Sequence, residues 1–276
     1  MILLLGSSGN LGQSFIECFE SDSITTLERA EIKKWLGKNS TREIHDKLKD
    51  LGEVSHIVLA LGETDPKKLS TDLMRINCEL PLNILKATAN ENVKVVTFGS
   101  FNEKFPSSQE DNQYMRSKKE FCNQYRFLKD INRNHLHFHI HTWYGGKSLH
   151  PHMFLGQIYT SIKHQIPFSM TDGNQLREYH HIKDDMSVIL PLIKSDLTGV
   201  QEINSNNPIK LRELATSVFD YFNSAQLLRI GSLQTPPFEV YDLNFSPSPS
   251  ENNGHFRVTT HGVIEYLISL GLSRVG

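Results

Sequence analysis

The 276 residues carry 29 Lys and Arg against 31 Asp and Glu, a formal net charge of −2 that offers neither a basic footprint for nucleic acid nor a polybasic membrane anchor. That length can bury a sizeable core, as one large domain or a domain with an appended lobe. Cys18, Cys78 and Cys122 lack CxxC spacing, and MILLLGSSG has too short an apolar run and no basic region for a signal peptide or membrane span. A cytoplasmic protein with reduced core thiols and small-molecule or protein partners is expected.

The apolar runs ILLL (2–5), SITTL (23–27), HIVLALG (56–62), VKVVTFGS (93–100) and HLHFHIHTW (135–143) are predicted strands. Between them lie amphipathic stretches such as NLGQSFIECFE and LMRINCELPLNILKATANEN, where apolar residues recur at three and four. The alternation predicts βαβ units and a parallel sheet covered on both faces, filling residues 1–145. Beyond it, LHPHMFLGQIYTSIKHQIPF reads as a helix with a loop, KDDMSVILPLIKS as a helix whose two opening acids suit its N-terminal dipole, and PIKLRELATSVFDYF as a further helix. REYHHI and GVQEIN read as short strands, and QTPPFEVYDLNFSPSPSENNG (234–254) as a long loop.

Gly6, Gly9 and Gly12 form GSSGNLG between the first strand and a helix expected over 10–20. Glycines there permit a tight turn, close approach of a pyrophosphate and tight helix packing, while the helix N-terminus supplies N–H donors. Dinucleotide binding is therefore expected at Gly6, Ser8, Gly9, Asn10, Leu11 and Gly12, with Ala60 and Leu61 towards the end of the third predicted strand also on the cofactor. After the second strand, Glu28 could hydrogen-bond an adenosine ribose and favour NAD, whereas Arg29 could bind the 2′-phosphate of NADP. NAD or NADP stays open.

In YMRSK, Tyr114 and Lys118 are one helical turn apart and would share a face. A neighbouring ammonium should lower the tyrosine pKa from about 10 and make the phenol a usable general acid. Ser100 ends the TFGS strand, where its hydroxyl could bond the same carbonyl oxygen. The alternating His135, His137, His139 and His141 would share a strand face, but no carboxylate or cysteine joins the run in sequence, so burial with partners is expected and no metal.

Seven blocks in order, GSSGNLG, INCELPLNILKAT, TFGS, YMRSK, WYGG (143–146), REYHHIKDD (177–185) and NSNNPIKLRELA (204–215), resemble the extended, nucleotide-sugar-modifying short-chain dehydrogenase/reductases. The resemblance implies an α/β Rossmann fold, a doubly wound parallel sheet over 1–145, with a smaller C-terminal α/β substrate lobe over 146–276 interleaved with that sheet. It also implies an NAD(P)-dependent oxidoreductase, expected to be a homodimer acting on a nucleotide-diphosphate sugar. Ser100 and Tyr114 would bind the substrate carbonyl, and Lys118 the nicotinamide ribose. Arg177 would contact the substrate diphosphate, with Phe154, Gln157 and His152 on the sugar side and His150 nearby.

Within this branch the chain looks most like reductases of 4-keto-deoxyhexoses in surface-polysaccharide pathways, with a 4-epimerase holding its NAD as the alternative and a non-catalytic NAD(P) sensor as a third reading. The 4,6-dehydratases carry an Asp-Glu pair immediately after their hydroxyl residue. Phe101 and Asn102 stand there in this chain, so dehydration is disfavoured although Glu103 is close.

Overall fold

The structure is a computed structural model that describes residues 1–19, 23–65, 68–104, 113–128, 134–147, 149–235 and 256–275. In chain order the first part runs β1 (Ile2–Leu5), α1 (Asn10–Cys18), β2 (Ile24–Thr26), α2 (Arg29–Lys34), α3 (Ser40–Leu51), β3 (His56–Leu59), α4 (Ser70–Met74), a wide π-helical turn (Arg75–Glu79), α5 (Leu80–Ala87), β4 (Lys94–Ser100), a 3₁₀ turn (Phe101–Lys104), α6 (Gln113–Leu128) and β5 (His135–Ile140). It continues with β6 (Thr142–Tyr144), α7 (Phe154–His164), β7 (Phe168–Ser169), β8 (Leu176–Arg177), β9 (Tyr179–His181), α8 (Ile182–Lys194), β10 (Gly199–Ile203), β11 (Ile209–Lys210), α9 (Leu211–Tyr221), β12 (Leu228–Arg229) and α10 (Thr259–Ser269). Apart from Gln234 and Thr235, the predicted loop 234–254 lies outside the described residues.

Two compact units divide the chain: Met1–Ile140 with Ile189–Ile203, and His141–Val188 with Asn204–Gly276. In the first, six strands in the order β10-β5-β4-β3-β1-β2 pair parallel throughout. Every residue of β1 is buried, as a strand covered on both faces must be. Leu3, Leu5, Ile57, Leu59 and Val95 pack with Trp35, Ile44, Leu80 and Ile84 from the covering helices. Each such side chain contributes roughly 1.5–3 kcal/mol by leaving water. The chain turns to opposite sides of β1 to lay down β2 and β3, which makes the carboxyl ends of β1 and β3 the switch point where α/β sheets open a crevice.

The second unit is built from short ladders, β6 with β9, β8 with β11 and β7 with β12, around a core from α7, α9 and α10 that includes Ile158, Leu214, Phe219 and Val263. HLHFHIHTW does not form one strand. It leaves the large sheet after Ile140, because the Thr142 N–H donates to the Glu178 carbonyl and starts a separate ladder with β9.

Asp184 and Asp185 do open α8, and each has a partner beyond the helix dipole. Asp184 pairs with Arg257 at 2.8 Å, while Asp185 accepts from Trp143 Nε1 and from His180 Nδ1, the latter at 2.8 Å. The other imidazole nitrogen of His180 meets Glu178 at 2.7 Å, and Glu178 in turn accepts the backbone N–H groups of Ser205 and Asn207. Burial pulls the His180 pKa down, but Asp185 and Glu178 together push it up to about 9. The sign follows from linkage: a folded pKa above the unfolded one stabilises fully below about 6.5, and the contribution is lost as pH rises through 9. His180→Gln should therefore melt well below the wild type at pH 6, with the gap narrowing by pH 9.5. A gap independent of pH in thermal melts would mean that His180 is held by packing alone.

Candidate active site

At the switch point the backbone leaves no room for side chains at two of the three glycines. Gly6 has φ +89°, and a Cβ there would lie 2.5 Å from the Ala60 carbonyl oxygen and 2.7 Å from Leu61 Cβ. A Cβ on Gly12 would run into the Gly6 carbonyl. Gly9 is different. Its φ is −78°, it caps α1 without a side chain, and an added Cβ would sit at ordinary contact distances of 3.6 and 3.9 Å. Ser8, Gly9 and Asn10 are exposed and Leu11 partly so, so the N-terminus of α1 opens outward, and the open Gly9 cradle fits a phosphate received by backbone N–H groups. Glu28 and Arg29 are both exposed where α2 begins, immediately after β2, which adjoins β1.

The same wall leads to Lys118. Gly62 follows Ala60 and Leu61, and a Cβ on it would be 3.8 Å from Lys118 Nζ and 3.4 Å from Asn77 Oδ1. Lys118, buried on α6, donates to the Phe98 carbonyl at 3.0 Å. Asn77, buried in the π-helical turn, exchanges hydrogen bonds with the backbone of Glu63 at 2.9 Å each way and donates to Ser117 at 3.0 Å, tying the end of β3 to α6. Leu61, Asn77, Phe98 and Lys118 line one small cavity.

Ser100 closes β4, with its Oγ accepting the Asn102 N–H at 3.2 Å and its own N–H donating to Glu103 at 2.8 Å. Tyr114 is partly buried in the first turn of α6, and the charge of Glu103 acts on both Tyr114 and Lys118. One carboxylate thus holds the Ser100 backbone and acts by its charge on the other two sequence-assigned catalytic residues. The pKa expectation is corrected, however. Burial and the charge of Glu103 push the Tyr114 phenol up to about 12, and Lys118 turns its ammonium on a carbonyl without depressing it. Helical spacing gave the shared face but could not reveal the carboxylate behind it.

The histidine run is also corrected: a carboxylate and a cysteine from elsewhere in the chain do join it. Glu103 Oε2 lies 3.1 Å from His137 Nε2 and 3.5 Å from His139 Nε2. Thr97 Oγ1 sits 2.7 Å from both His135 Nε2 and His137 Nδ1, and Cys122 of α6 hydrogen-bonds His139. Burial lowers His137 despite Glu103, whereas Cys122 and Glu103 raise His139 to about 9 against its burial. Glu103, His137 and His139 bring one ligand atom each within 4.8 Å, a spacing a divalent cation could use, and as they stand they hold one another. His141 belongs to the second unit, 3.9 Å from Glu178.

Also in the second unit, Gln157 of α7 donates to the His152 carbonyl at 3.0 Å, and the exposed rings of His150 and His152 stand 5.4 Å apart. Phe154 packs its ring 5.7 Å from Phe168 and 6.5 Å from Tyr179. Arg177, half-buried on β8, donates to the Leu176 carbonyl at 2.7 Å and acts by its charge on the Tyr179 phenol, so Tyr179 links it to Phe154. Sequence reading missed Asn77 and gave Glu103 no role. The signals were a lone amide inside the apolar INCELPL segment and an acid directly after a strand end.

The model of the NAD dependent epimerase/dehydratase family matches residues 2–204. The chain belongs to that family. Membership makes it an NAD(P)-dependent enzyme of the extended short-chain dehydrogenase/reductase class. Among similar solved structures is a dTDP-4-dehydrorhamnose reductase of Clostridium acetobutylicum, 15% identical with a TM-score of 0.70, covering 98% of this chain and 99% of that one. A dTDP-glucose 4,6-dehydratase of Streptomyces venezuelae, solved with NAD, is 16% identical with a TM-score of 0.75 over 97% and 95% of the two chains. The Bordetella bronchiseptica enzyme WbmG, in complex with NAD and UDP, is 15% identical with a TM-score of 0.73 over 100% and 97%. At these identities the neighbours establish the Rossmann fold. No curated protein sequence matches the chain significantly.

Because Gly9 can carry a side chain without a clash in the protein, Gly9→Leu should leave the melting temperature nearly unchanged while abolishing binding of NADH and NADPH in fluorescence titrations. Unaltered cofactor affinity in a folded Gly9→Leu protein would remove the α1 N-terminus from the cofactor site.

Proposed function

We propose that the protein is an NAD(P)H-dependent reductase of a nucleotide-activated 4-keto-deoxyhexose in surface-polysaccharide sugar biosynthesis. The observation that carries this reading is that Lys118 rests on the Phe98 carbonyl of the strand that Ser100 closes, while Glu103 takes the Ser100 N–H and acts by its charge on Tyr114 and Lys118. The similar structures solved with NAD, NADP or UDP support a nicotinamide cofactor and a nucleotide-diphosphate substrate. The cofactor, when bound, supplies the hydride. The chain must supply the rest: a proton for the ketone oxygen, a group to orient that oxygen, and a hold on the diphosphate.

Tyr114 is assigned the proton. Its raised pKa keeps the phenol protonated at neutral pH, as a donor must be before reaction. Ser100 Oγ can offer its hydrogen to the same oxygen while accepting from the Asn102 N–H. Lys118 is assigned the nicotinamide ribose, and its charge would stabilise the tyrosinate once the proton has left. Dehydration is disfavoured by the same geometry, since Phe101 is buried, Asn102 carries no acid and Glu103 faces the buried histidines. Arg177 in the second unit is assigned the diphosphate, where a planar guanidinium can bind bidentately, with Phe154, Gln157 and His152 on the sugar side. We place the enzyme in the cytoplasm as a homodimer; among the described residues no helix is long and apolar enough to cross a membrane.

The test is oxidation of NADH and NADPH against a panel of 4-keto sugar nucleotides. Stoichiometric NAD that copurifies and never exchanges would favour the 4-epimerase alternative, and absence of turnover with any substrate the sensor. Tyr114→Phe should lower kcat about 100- to 10,000-fold with cofactor and substrate affinity nearly intact. Full activity in that variant would refute the assignment. Arg177→Ala should weaken substrate binding by roughly 1.5–3 kcal/mol, and an unchanged KM would show that the diphosphate binds elsewhere.

A further inference from the structure

Glu103 is an unusual residue to find where it is. Its side chain is 0% exposed, yet it stays ionised, with its pKa held well below the usual carboxylate range by His137 and His139 against the penalty of burial. Its two oxygens have separate tasks. Oε1 takes the Ser100 N–H at 2.8 Å, and Oε2 faces the two imidazoles. Room for this exists only because residue 99 is glycine: a Cβ there would lie 2.5 Å from both Glu103 Oε1 and His137 Nε2.

We propose that Glu103 is the positioning residue of this site, fixing Ser100 through its backbone N–H and setting one buried negative charge behind the strand end on which Lys118 also rests. This rests on the ketoreductase reading above. A fully buried lysine tends to lose its proton, because the charged form gives up its hydration. For Lys118 the charge that opposes that loss is Glu103. The same negative charge raises the cost of ionising Tyr114. Burial itself holds Tyr114 as a phenol and pulls the Lys118 pKa down, and the one carboxylate reinforces the first effect and opposes the second. The groups facing this carboxylate and Lys118 are His137 and His139 from β5, Tyr114 and Cys122 from α6, the Phe98 carbonyl from β4 and Asn77 from the π-helical turn.

Glu103→Gln keeps the size of the side chain and an acceptor for the Ser100 N–H but removes the charge. In ¹⁵N-lysine NMR of the cofactor-free protein, Lys118 should give up its proton at a pH lower by about one unit or more. In the assay, kcat should fall at least about tenfold with substrate KM within about twofold, and its alkaline limb should move to lower pH. Glu103→Asp keeps the charge on a shorter arm, so Lys118 should titrate there as in the wild type even if Glu103→Gln does not fold. An unshifted Lys118 titration in Glu103→Gln, a displaced one in Glu103→Asp, or a rate loss uniform across pH would overturn the proposal. So would stoichiometric zinc in the purified protein, since a cation at Glu103 would cancel its charge. Tyr114→Phe measured in parallel separates the two readings: if it is inactive while Glu103→Gln behaves as wild type, this inference alone fails, and if it is fully active the ketoreductase reading fails.

Discussion

The arrangement of the first unit depends on a steric constraint at the end of β1. Three backbone segments, Gly6, Gly12 and Ala60, approach so closely that a single extra carbon on either glycine would overlap a carbonyl. That approach seats α1 against β1 and brings the end of β3 beside it. The crevice at the switch point is then bordered by bare backbone, which can meet a phosphate more closely than any side chain allows. Gly9, the member of the triplet under no such constraint, is where the backbone is left open to a ligand.

Buried charge is handled similarly in both units. In the first, Glu103 is set between His137 and His139; in the second, His180 is set between Glu178 and Asp185. An isolated charge in such a place would be expelled or neutralised, so each carboxylate is matched by an imidazole and by further N–H donors, from the backbone at Glu103 and Glu178 and from the Trp143 indole at Asp185. Glu178 ties the 205–207 segment to β9 by two backbone hydrogen bonds, and Glu103 ties the end of β4 to β5. Breaking either from one side would leave a charge stranded in the interior, which costs far more than the intact pair contributes.

Much of the fold was legible in the sequence because its signals are local. Uninterrupted apolar runs marked the parallel strands, and the glycine triplet marked the turn that needs bare backbone. Tyr114, Lys118 and Ser100 are singled out by spacing and order alone, and their roles belong to the proposal. What escaped was decided by contacts distant in sequence. Nothing within HLHFHIHTW says that its last residues pair with β9 rather than extending β5. The four histidines do alternate on a strand face, but Glu103 reaches two of them from another strand's end, and burial together with the charge of that acid reversed the expected shift at Tyr114. Asn77 was hidden in an apolar helical pattern because its role is to tie the segment after β3 to α6, two places far apart in the chain.

Gly99 ties two positions together. The hydrogen atom it presents to β5 occupies the space in which the Glu103 carboxylate and the His137 ring meet, so even a methyl group there would run into both of them. The strand end and the acid four residues later thus form one heritable unit. A chain that acquires a side chain at the first must displace both the buried acid and the His137 ring. Among relatives of this protein, glutamate at the second place should occur only with glycine at the first.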